Sequence, residues 1–535
     1  MERHIGTWYK ESEKDKTEVG ELVIDGNNIE FYSRFYEPAF PTTFIGSDGQ
    51  FSYKIFVNGI TNGGQNRTIE NTSSHRVFYV LMQNFDFSKG LDISGITEFS
   101  FIIPELISWL GMKTVFYCYT SDDEPAAGEY SMPPISIKSA DPKIEIYFES
   151  KSFENEVLYD DATKITISKV PRIRVSYETP VDIQVVFSEI ECLMQFFGLL
   201  IGKVSIAEDI RLTIKSQELK SWLYINHDFS YNLLTQSIID TPRTYFYIVE
   251  ERLMDFFSNW RTFFHNEDFS LLRRIYFSVN NKENRFAEEV FIEYMRFLDG
   301  YHTRVSGDAE KVKSLKMALA DAKKVIKSCI FTEDNRPVFE EAIQKVLPDW
   351  KYNTKNIADI SEWIASGYIA KKQLSHRLKE LDEKYFKIIS NNATNIEKLP
   401  LRDYDYNEKI KALLIRKYNI TSNEDLEKKF SILTEDQKDE ILIEIYYKEL
   451  GDTRNYYSHY KNDKSGVLNF TQLSESIKVL KATIISILLS HIELGDIGRK
   501  MIAFDSELNF QTMFLRQEGE NPFLRPAEYY KKQCE

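Results

Sequence analysis

The sequence has few of the residues that would place it among disulfide-linked or metal-binding proteins. Its 535 residues include four cysteines, which are far apart and form no CxxC pair. This spacing argues against a disulfide framework and a zinc site, and it favours reduced thiols in the cytoplasm. Five histidines have no partner at metal-ligand spacing: His4, His75, His227, His265 and His376. We therefore expect no metal site and no cofactor.

Long apolar runs and nucleotide-binding motifs are lacking as well. The longest apolar stretches, near residues 193–201 and 482–489, are too short to span a bilayer. The charged N-terminus shows no apolar segment of a signal peptide. No P-loop is present, and no GxGxxG motif follows a strand, so nucleotide-driven chemistry is not supported. These absences predict a cytoplasmic protein with no membrane partner.

Positive charge is in deficit, whereas aromatic residues are abundant. The net charge of −15 argues against a protein that coats nucleic acid without regard to sequence, since such a protein needs a broad basic field. A local basic groove in an enzyme is still compatible with this charge. The 37 phenylalanines and 31 tyrosines, within a 42% hydrophobic composition, indicate a folded protein with heavy aromatic packing.

The hydrophobic periodicity changes along the chain and predicts an α+β protein. Residues 1–240 show short alternating runs separated by turn signals, which predicts a β-rich domain, either a sandwich or an open barrel. Within it, residues 188–201 are predicted to form a buried helix, with Ser188 and Glu191 as its capping box. Residues 241–515 have helical spacing and are predicted to be all-α. The predicted helices include 312–330, 359–389 (one helix or a pair) and 403–418. Residues 516–535 form a tail of mixed character.

One polar and aromatic stretch, residues 451–460, stands out between two predicted helices. The preceding helix opens with a capping box at Thr434. Gly451 lies where a helix C-cap belongs, and Asp452 or Thr453 lies where the next N-cap belongs. The pattern therefore predicts that Arg454 lies in the first turn of a new helix or on the junction, where free backbone N–H groups favour an anion.

Arg454 and His459 suit metal-independent cleavage of RNA, in which the 2′-hydroxyl attacks the neighbouring phosphate. A histidine transfers protons near neutral pH, and an arginine stabilises the charge that develops on phosphate. Asn455 can orient the histidine or donate to the phosphate. On a regular helix the two residues are about 140° apart. Either the backbone bends between them, or two copies of the chain form a composite site across a two-fold axis.

Other residues near the motif are candidates for contact with RNA. Lys461 and Lys464 can contact the RNA backbone or lie in a solvated turn. Tyr456 can stack on an RNA base or pack in the protein core. A second arginine–histidine pair with similar spacing, Arg296 and His302, lies on either side of Gly300, where a helix end is predicted. The helix dipole explains a cation there, so we interpret that pair as structural.

The segment Arg454-Asn-Tyr-Tyr-Ser-His459 resembles the R-x4–6-H signature of HEPN ribonucleases. The helices on either side resemble the C-terminal HEPN domain of the ApeA family. The GTWY motif and residues 101–111 (FIIPELISWLG) resemble the N-terminal domain of that family. The resemblance implies a dimeric helical bundle that cuts RNA without metal and leaves 2′,3′-cyclic phosphate and 5′-hydroxyl ends.

The same resemblance implies that Arg454 and His459 are catalytic and that Asn455 supports them. It also implies an anti-phage, abortive-infection effector. We expect a phage-derived trigger, and we expect the N-terminal domain to sense that trigger or to restrain the nuclease. The expected partners are an RNA substrate, for which class analogy favours tRNA, and at least one further copy of the chain. The alternative is a non-catalytic HEPN-like interaction module joined to a β-rich recognition domain.

Overall fold

The computed structural model describes most of the chain. The described residues are 1–26, 28–35, 41–61, 73–83, 95–111, 115–119, 125–129, 132–158, 162–202, 206–214, 219–225, 242–280, 285–306, 374–399, 403–459 and 466–503, with a few positions between 328 and 341. They form two compact units: Met1–Asn284 together with Ile487–Glu535, and Arg285–Ser486. We call these the sheet unit and the helical unit. The division of the chain at residue 240 stays a prediction.

The sheet unit contains an antiparallel sheet of twelve strands, in the order β10-β11-β12-β7-β13-β14-β6-β3-β2-β1-β4-β5, and a two-strand ribbon, β8-β9. The strands are β1 (Glu2–Lys10), β2 (Glu13–Asp25), β3 (Asn28–Ser33), β4 (Thr42–Ser47), β5 (Ser52–Thr61), β6 (Ser73–Gln83), β7 (Ile96–Ile102), β8 (Val115–Tyr119), β9 (Pro125–Glu129), β10 (Ile135–Lys138), β11 (Lys143–Leu158), β12 (Ala162–Val181), β13 (Glu208–Ile214) and β14 (Leu219–Ile225). The sheet as a whole is open, and the α+β prediction is confirmed.

Six of these strands enclose an aromatic core. Strand β6 pairs with both β3 and β5, so that β1 to β6 form a ring of pairings at one end of the sheet. Trp8 is fully buried in it, and its indole N–H donates to the Gly20 carbonyl at 3.0 Å. A Cβ atom at Gly46 would lie 2.2 Å from the Trp8 ring, so this position requires glycine.

The described helices are α1 (Leu106–Leu110), α2 (Ile183–Ile201), α3 (Phe246–Val249), α4 (Leu253–Phe264), α5 (Glu267–Asn280), α6 (Ala287–Val305), α7 (Leu374–Lys384), α8 (Ile388–Glu397), α9 (Asp403–Tyr418), α10 (Asn423–Ser431), α11 (Glu435–His459), α12 (Phe470–His491) and α13 (Gly495–Ala503). The helical prediction for the second half is confirmed wherever the structure describes it. The predicted helix at 312–330 and the first part of the one at 359–389 lie outside the described residues.

Helix α2 is the buried helix of the sheet unit, and it begins earlier than predicted. Its N-cap is Asp182, whose carboxylate accepts from the N–H groups of Gln184 and Val185. The predicted cap at Ser188 is wrong because that residue lies inside the helix. The helix has 19 residues and is long and apolar enough to cross a bilayer. The prediction that the apolar stretch near residues 193–201 is too short considered only part of this helix. Most of it is buried within the protein, as in a core helix.

Helix α11 is central to the helical unit and packs against α6, α7, α8 and α9. The buried Asp382 carboxylate fixes the turn between α7 and α8 by accepting from the N–H groups of Ile389 and Ser390. It also accepts from the Tyr447 hydroxyl of α11 at 2.6 Å. These contacts tie α11 to the short helices around it and set the position of its last turns, which carry the arginine–histidine motif.

Candidate active site

The motif lies at the C-terminal end of α11 rather than at the start of a new helix. The predicted capping box is present: the Thr434 N–H donates to Gln437 Oε1 at 3.0 Å, and the Gln437 N–H donates to Thr434 Oγ1 at 3.3 Å. The helix then continues without a break from Glu435 to His459. The predicted C-cap at Gly451 and the predicted N-cap at Asp452 or Thr453 are therefore wrong.

Tertiary contacts explain why the helix passes through Gly451. Leu450 and Thr453 are fully buried, and the Thr453 hydroxyl accepts from the Leu468 N–H at 2.9 Å. Lys448 and Asp452 form an ion pair across one turn at 3.1 Å. Burial on one side and this pair on the other favour continued helix. Arg454 consequently has no free helix N-terminus beside it, and that part of the prediction is wrong.

The three motif residues differ in their surroundings. Arg454 is half-buried, and its Nη1 donates to the Asn455 Oδ1 at 3.1 Å. His459 is exposed and is the last residue of the helix. Because the helix has no break between them, the two side chains point about 140° apart. Within one chain they diverge, so the composite site stays a prediction.

Tyr456 and Tyr457 lie between the two catalytic candidates and pack edge to face, with ring centroids 5.0 Å apart. Burial raises the pKa of Tyr457, and the nearby carboxylate of Glu288 adds to the rise, so this hydroxyl stays neutral. Tyr456 turns towards a cleft. Lys461 and Lys464 lie outside the described residues, so their predicted contact with RNA stays a prediction.

A cleft of about 400 Å³ lies between α9 and α11. The polar residues and the tyrosine that line it are Lys409, Arg416, Lys448, Glu449, Asp452 and Tyr456. Sequence reasoning singled out Tyr456 but missed the three cations. A local signal existed, since Lys409 and Arg416 are seven residues apart and share one side of a helix. Nothing in the sequence told which side of α11 that helix would meet.

Two carboxylates, the buried Glu397 and the partly buried Glu449, form ion pairs with Lys409 of the cleft. Lys409 Nζ lies 2.8 Å from Glu397 and 3.2 Å from Glu449. Burial raises the pKa of Glu397 to about 7; the nearby Glu449 adds to the rise and Lys409 opposes it. Arg416 is exposed, and among the described residues no carboxylate pairs with it. Arg416 is thus the cation of the cleft that is open to an anion.

The second arginine–histidine pair is structural, as predicted, although for a different reason. Helix α6 continues through Gly300 to Val305, so the predicted end is wrong by five residues. Arg296 is exposed and pairs with Glu293 at 2.7 Å. His302 is buried, and its Nε2 lies 2.7 Å from the Glu380 carboxylate. Its imidazole is engaged within the fold.

Further histidines show no sign of a metal centre in the part of the chain that the structure describes, where no group of three or more potential ligands converges. His491 stacks on Phe263 with ring centroids 4.1 Å apart. His4 accepts or donates a hydrogen bond at the Tyr53 hydroxyl, 2.8 Å away. His227 lies outside the described residues.

Comparison with protein families agrees with this architecture. Residues 401–496, which include α9 to α12 and the motif, match the model described as Apea-like HEPN, so this region is a HEPN domain. Residues 3–260 match the model of ApeA N-terminal domain 1. The chain is therefore an ApeA-like protein with a C-terminal HEPN domain. Searches of curated proteins and of solved structures gave no match.

Proposed function

We propose that this protein is a metal-independent endoribonuclease that acts as an abortive-infection effector against phage. Membership of the ApeA family supports a HEPN nuclease or anti-phage role in general. The observation that carries the finer proposal is the Arg454-Asn455-x3-His459 motif at the exposed end of the central helix of the HEPN region.

The proposed reaction begins when an imidazole takes the proton of the RNA 2′-hydroxyl. The oxygen forms a bond to the adjacent phosphorus, and the bond from phosphorus to the 5′-oxygen breaks. The imidazolium formed in this way then gives the proton to that leaving oxygen. His459 suits both roles because its imidazole is exposed, and histidine is the commonest general acid and base of enzymes. The products are a 2′,3′-cyclic phosphate and a 5′-hydroxyl.

Arg454 stabilises the extra negative charge on the phosphorus oxygens, since a guanidinium remains cationic and presents several donors. Asn455 accepts a hydrogen bond from Arg454 and so restricts the guanidinium, which reduces the entropy lost when substrate binds. Because Arg454 and His459 diverge on one helix, the arginine of one copy serves the histidine of the other. A two-fold dimer supplies this arrangement twice.

In the cell, the sheet unit would sense a phage-derived trigger and restrain the nuclease until that trigger arrives. Free cutting of host RNA is toxic, so such restraint is required. The proposed setting is the cytoplasm, where tRNA is the first candidate substrate by analogy with the class.

The test compares wild-type protein with His459→Ala, and uses His376→Ala as the matched control. His376 is an exposed histidine of the same unit and lies outside the motif. Each protein is expressed at equal level in bacteria with and without phage challenge, and it is also purified and incubated with total RNA in EDTA. We expect wild type and His376→Ala to cut RNA, and His459→Ala to lose at least about a hundredfold in rate.

The cut ends should accept phosphate from a polynucleotide kinase without prior phosphatase treatment. Intact RNA with the wild-type protein under every condition would contradict the nuclease and favour the interaction module. Cutting that EDTA abolishes would contradict the mechanism and leave the activity standing.

A further inference from the structure

The cleft between α9 and α11 lies on the side of α11 that carries His459. Ile445, Asp452 and Tyr456 line the cleft from α11 at a spacing of three to four residues per turn. His459 follows Tyr456 by three residues, so it lies about 20° from Asp452 around the helix axis. Arg454 lies about 160° from Asp452. The cleft therefore runs towards the histidine and away from the arginine of the same chain.

The two ends of the cleft differ in charge. At one end Glu397 and Glu449 neutralise Lys409, and they disfavour a further anion there. At the other end Arg416 is exposed and has no carboxylate partner among the described residues. Among the described residues Lys448 pairs with Asp452, on the surface of the same helix. A surface pair of this kind contributes little to stability, so Lys448 can exchange its partner for a phosphate.

The aromatic ring in the cleft is held in place. Tyr456 is half-buried and packs against Tyr457 in an edge-to-face arrangement. Its position along the helix is about 4.5 Å from that of His459. The two side chains are therefore close enough along the helix for one nucleotide to reach from Tyr456 to a phosphodiester at His459.

We propose that this cleft binds the nucleotide next to the scissile phosphodiester of single-stranded RNA. Its base stacks on Tyr456, and its phosphate lies between Arg416 and Lys448. The volume of about 400 Å³ falls within the range of small-ligand sites, about 300 to 1,000 Å³. Tyr456 contacts the face of the base and not its hydrogen-bonding edges. The subsite therefore accepts all four bases. The proposal rests on the ribonuclease function proposed above.

Binding is measured apart from cleavage, in the His459→Ala background of the full chain. The probe is a fluorescein-labelled single-stranded RNA of about 12 nucleotides, followed by anisotropy. We expect Arg416→Gln to weaken binding about tenfold and to reduce the salt dependence by about one phosphate contact. Tyr456→Leu should weaken binding to a similar extent, whereas Tyr456→Phe should retain it because the ring face remains.

The matched control is Lys417→Gln. Lys417 is the next residue on α9 and carries the same charge, but it pairs with Glu444 at 2.7 Å and does not line the cleft. It should leave the affinity unchanged. Equal losses for the two substitutions would indicate a general charge effect and overturn the subsite. Unchanged binding by Arg416→Gln would also overturn it while leaving the nuclease intact, and absence of RNA binding by every protein would overturn both proposals.

Discussion

Arg454 and His459 differ in the freedom of their side chains, and the difference matches the roles proposed for them. The guanidinium is half-buried and bonded to Asn455, which suits a group that must stand ready to stabilise charge. The imidazole is exposed at a helix end, where it can exchange protons with solvent between turnovers. Glu397 and Glu449, the carboxylates near the cleft, form ion pairs with Lys409. We assign them no part in the proposed reaction.

The first prediction at the residue scale concerns Glu397. Burial favours its neutral form, so its pKa rises from the ordinary value of 4.5 to about 7 in the folded protein. The stability linked to this raised pKa is complete below about pH 4.5 and is lost as pH rises through about 7. Glutamine resembles the protonated side chain, so Glu397→Gln should match the wild type in thermal midpoint near pH 5 and exceed it near pH 8.

Thermal unfolding of the full chain, followed by calorimetry at several pH values, measures this difference. Asp439→Asn serves as a control, because Asp439 is half-exposed and pairs with Lys398 at 3.6 Å on the surface. A variant at Glu397 that loses stability relative to wild type at pH 8 would show that the ion pair with Lys409 outweighs the cost of burial.

At the scale of elements, helix α11 both builds the core of its unit and presents the motif. Its start is set by two side chains three positions apart in sequence, Thr434 and Gln437. Its passage through Gly451 depends on the burial of Leu450 and Thr453. A helix that runs unbroken to His459 places the two catalytic candidates on different sides. The continuity of α11 is thus the structural observation behind the proposal of a site shared between copies.

Replacement of Gly451 by alanine tests this continuity. A Cβ atom at Gly451 would meet nothing within 4 Å, and alanine is favoured over glycine inside a helix by about 0.5 to 1 kcal/mol. We expect Gly451→Ala to raise the thermal midpoint of the helical unit by about 1 to 3 °C. A C-cap glycine in the left-handed conformation would instead lose stability on this change.

Gly466→Ala is the contrasting variant. Gly466 has a φ of +74°, and a Cβ atom there would lie 3.0 Å from the Asp452 carboxylate, so this substitution should lower the midpoint. A fall in the midpoint for Gly451→Ala would contradict an unbroken α11 and would restore the helix start near Arg454.

The sequence was informative where structure depends on nearby residues. The bounds of α9 and the capping box at Thr434 were predicted correctly because hydrophobic spacing and caps are local signals. Gly451 was misread because Gly-Asp-Thr has the local pattern of a helix junction, and only tertiary burial overrides it. The cleft could not be predicted, since it requires Arg416 and Tyr456, which are distant in sequence, to lie across two packed helices.

At the scale of the whole molecule, the chain combines a sheet unit that includes the match to the ApeA N-terminal domain with a helical unit that contains most of the HEPN region. Catalysis and control are proposed to be divided between them. The helical unit carries the motif and the cleft, and we propose that a second copy completes its site. On that proposal nuclease activity depends on assembly, and a trigger that acts on assembly would switch it.

The measurement that tests this account most directly compares two engineered heterodimers, each purified through different tags on the two chains. One pairs Arg454→Ala with His459→Ala. The other pairs a chain that carries both substitutions with a wild-type chain. Arg296→Ala, an exposed arginine of the structural pair, is the control for loss of an arginine.

If the site is shared, the first heterodimer keeps one complete set of groups and should cut RNA at about half the wild-type rate, whereas the second should be inactive. If each chain holds its own site, the result is reversed: the first heterodimer is inactive and the second keeps about half the rate. That reversed result would contradict the shared site, and a wild-type dimer that leaves RNA intact would contradict the nuclease itself.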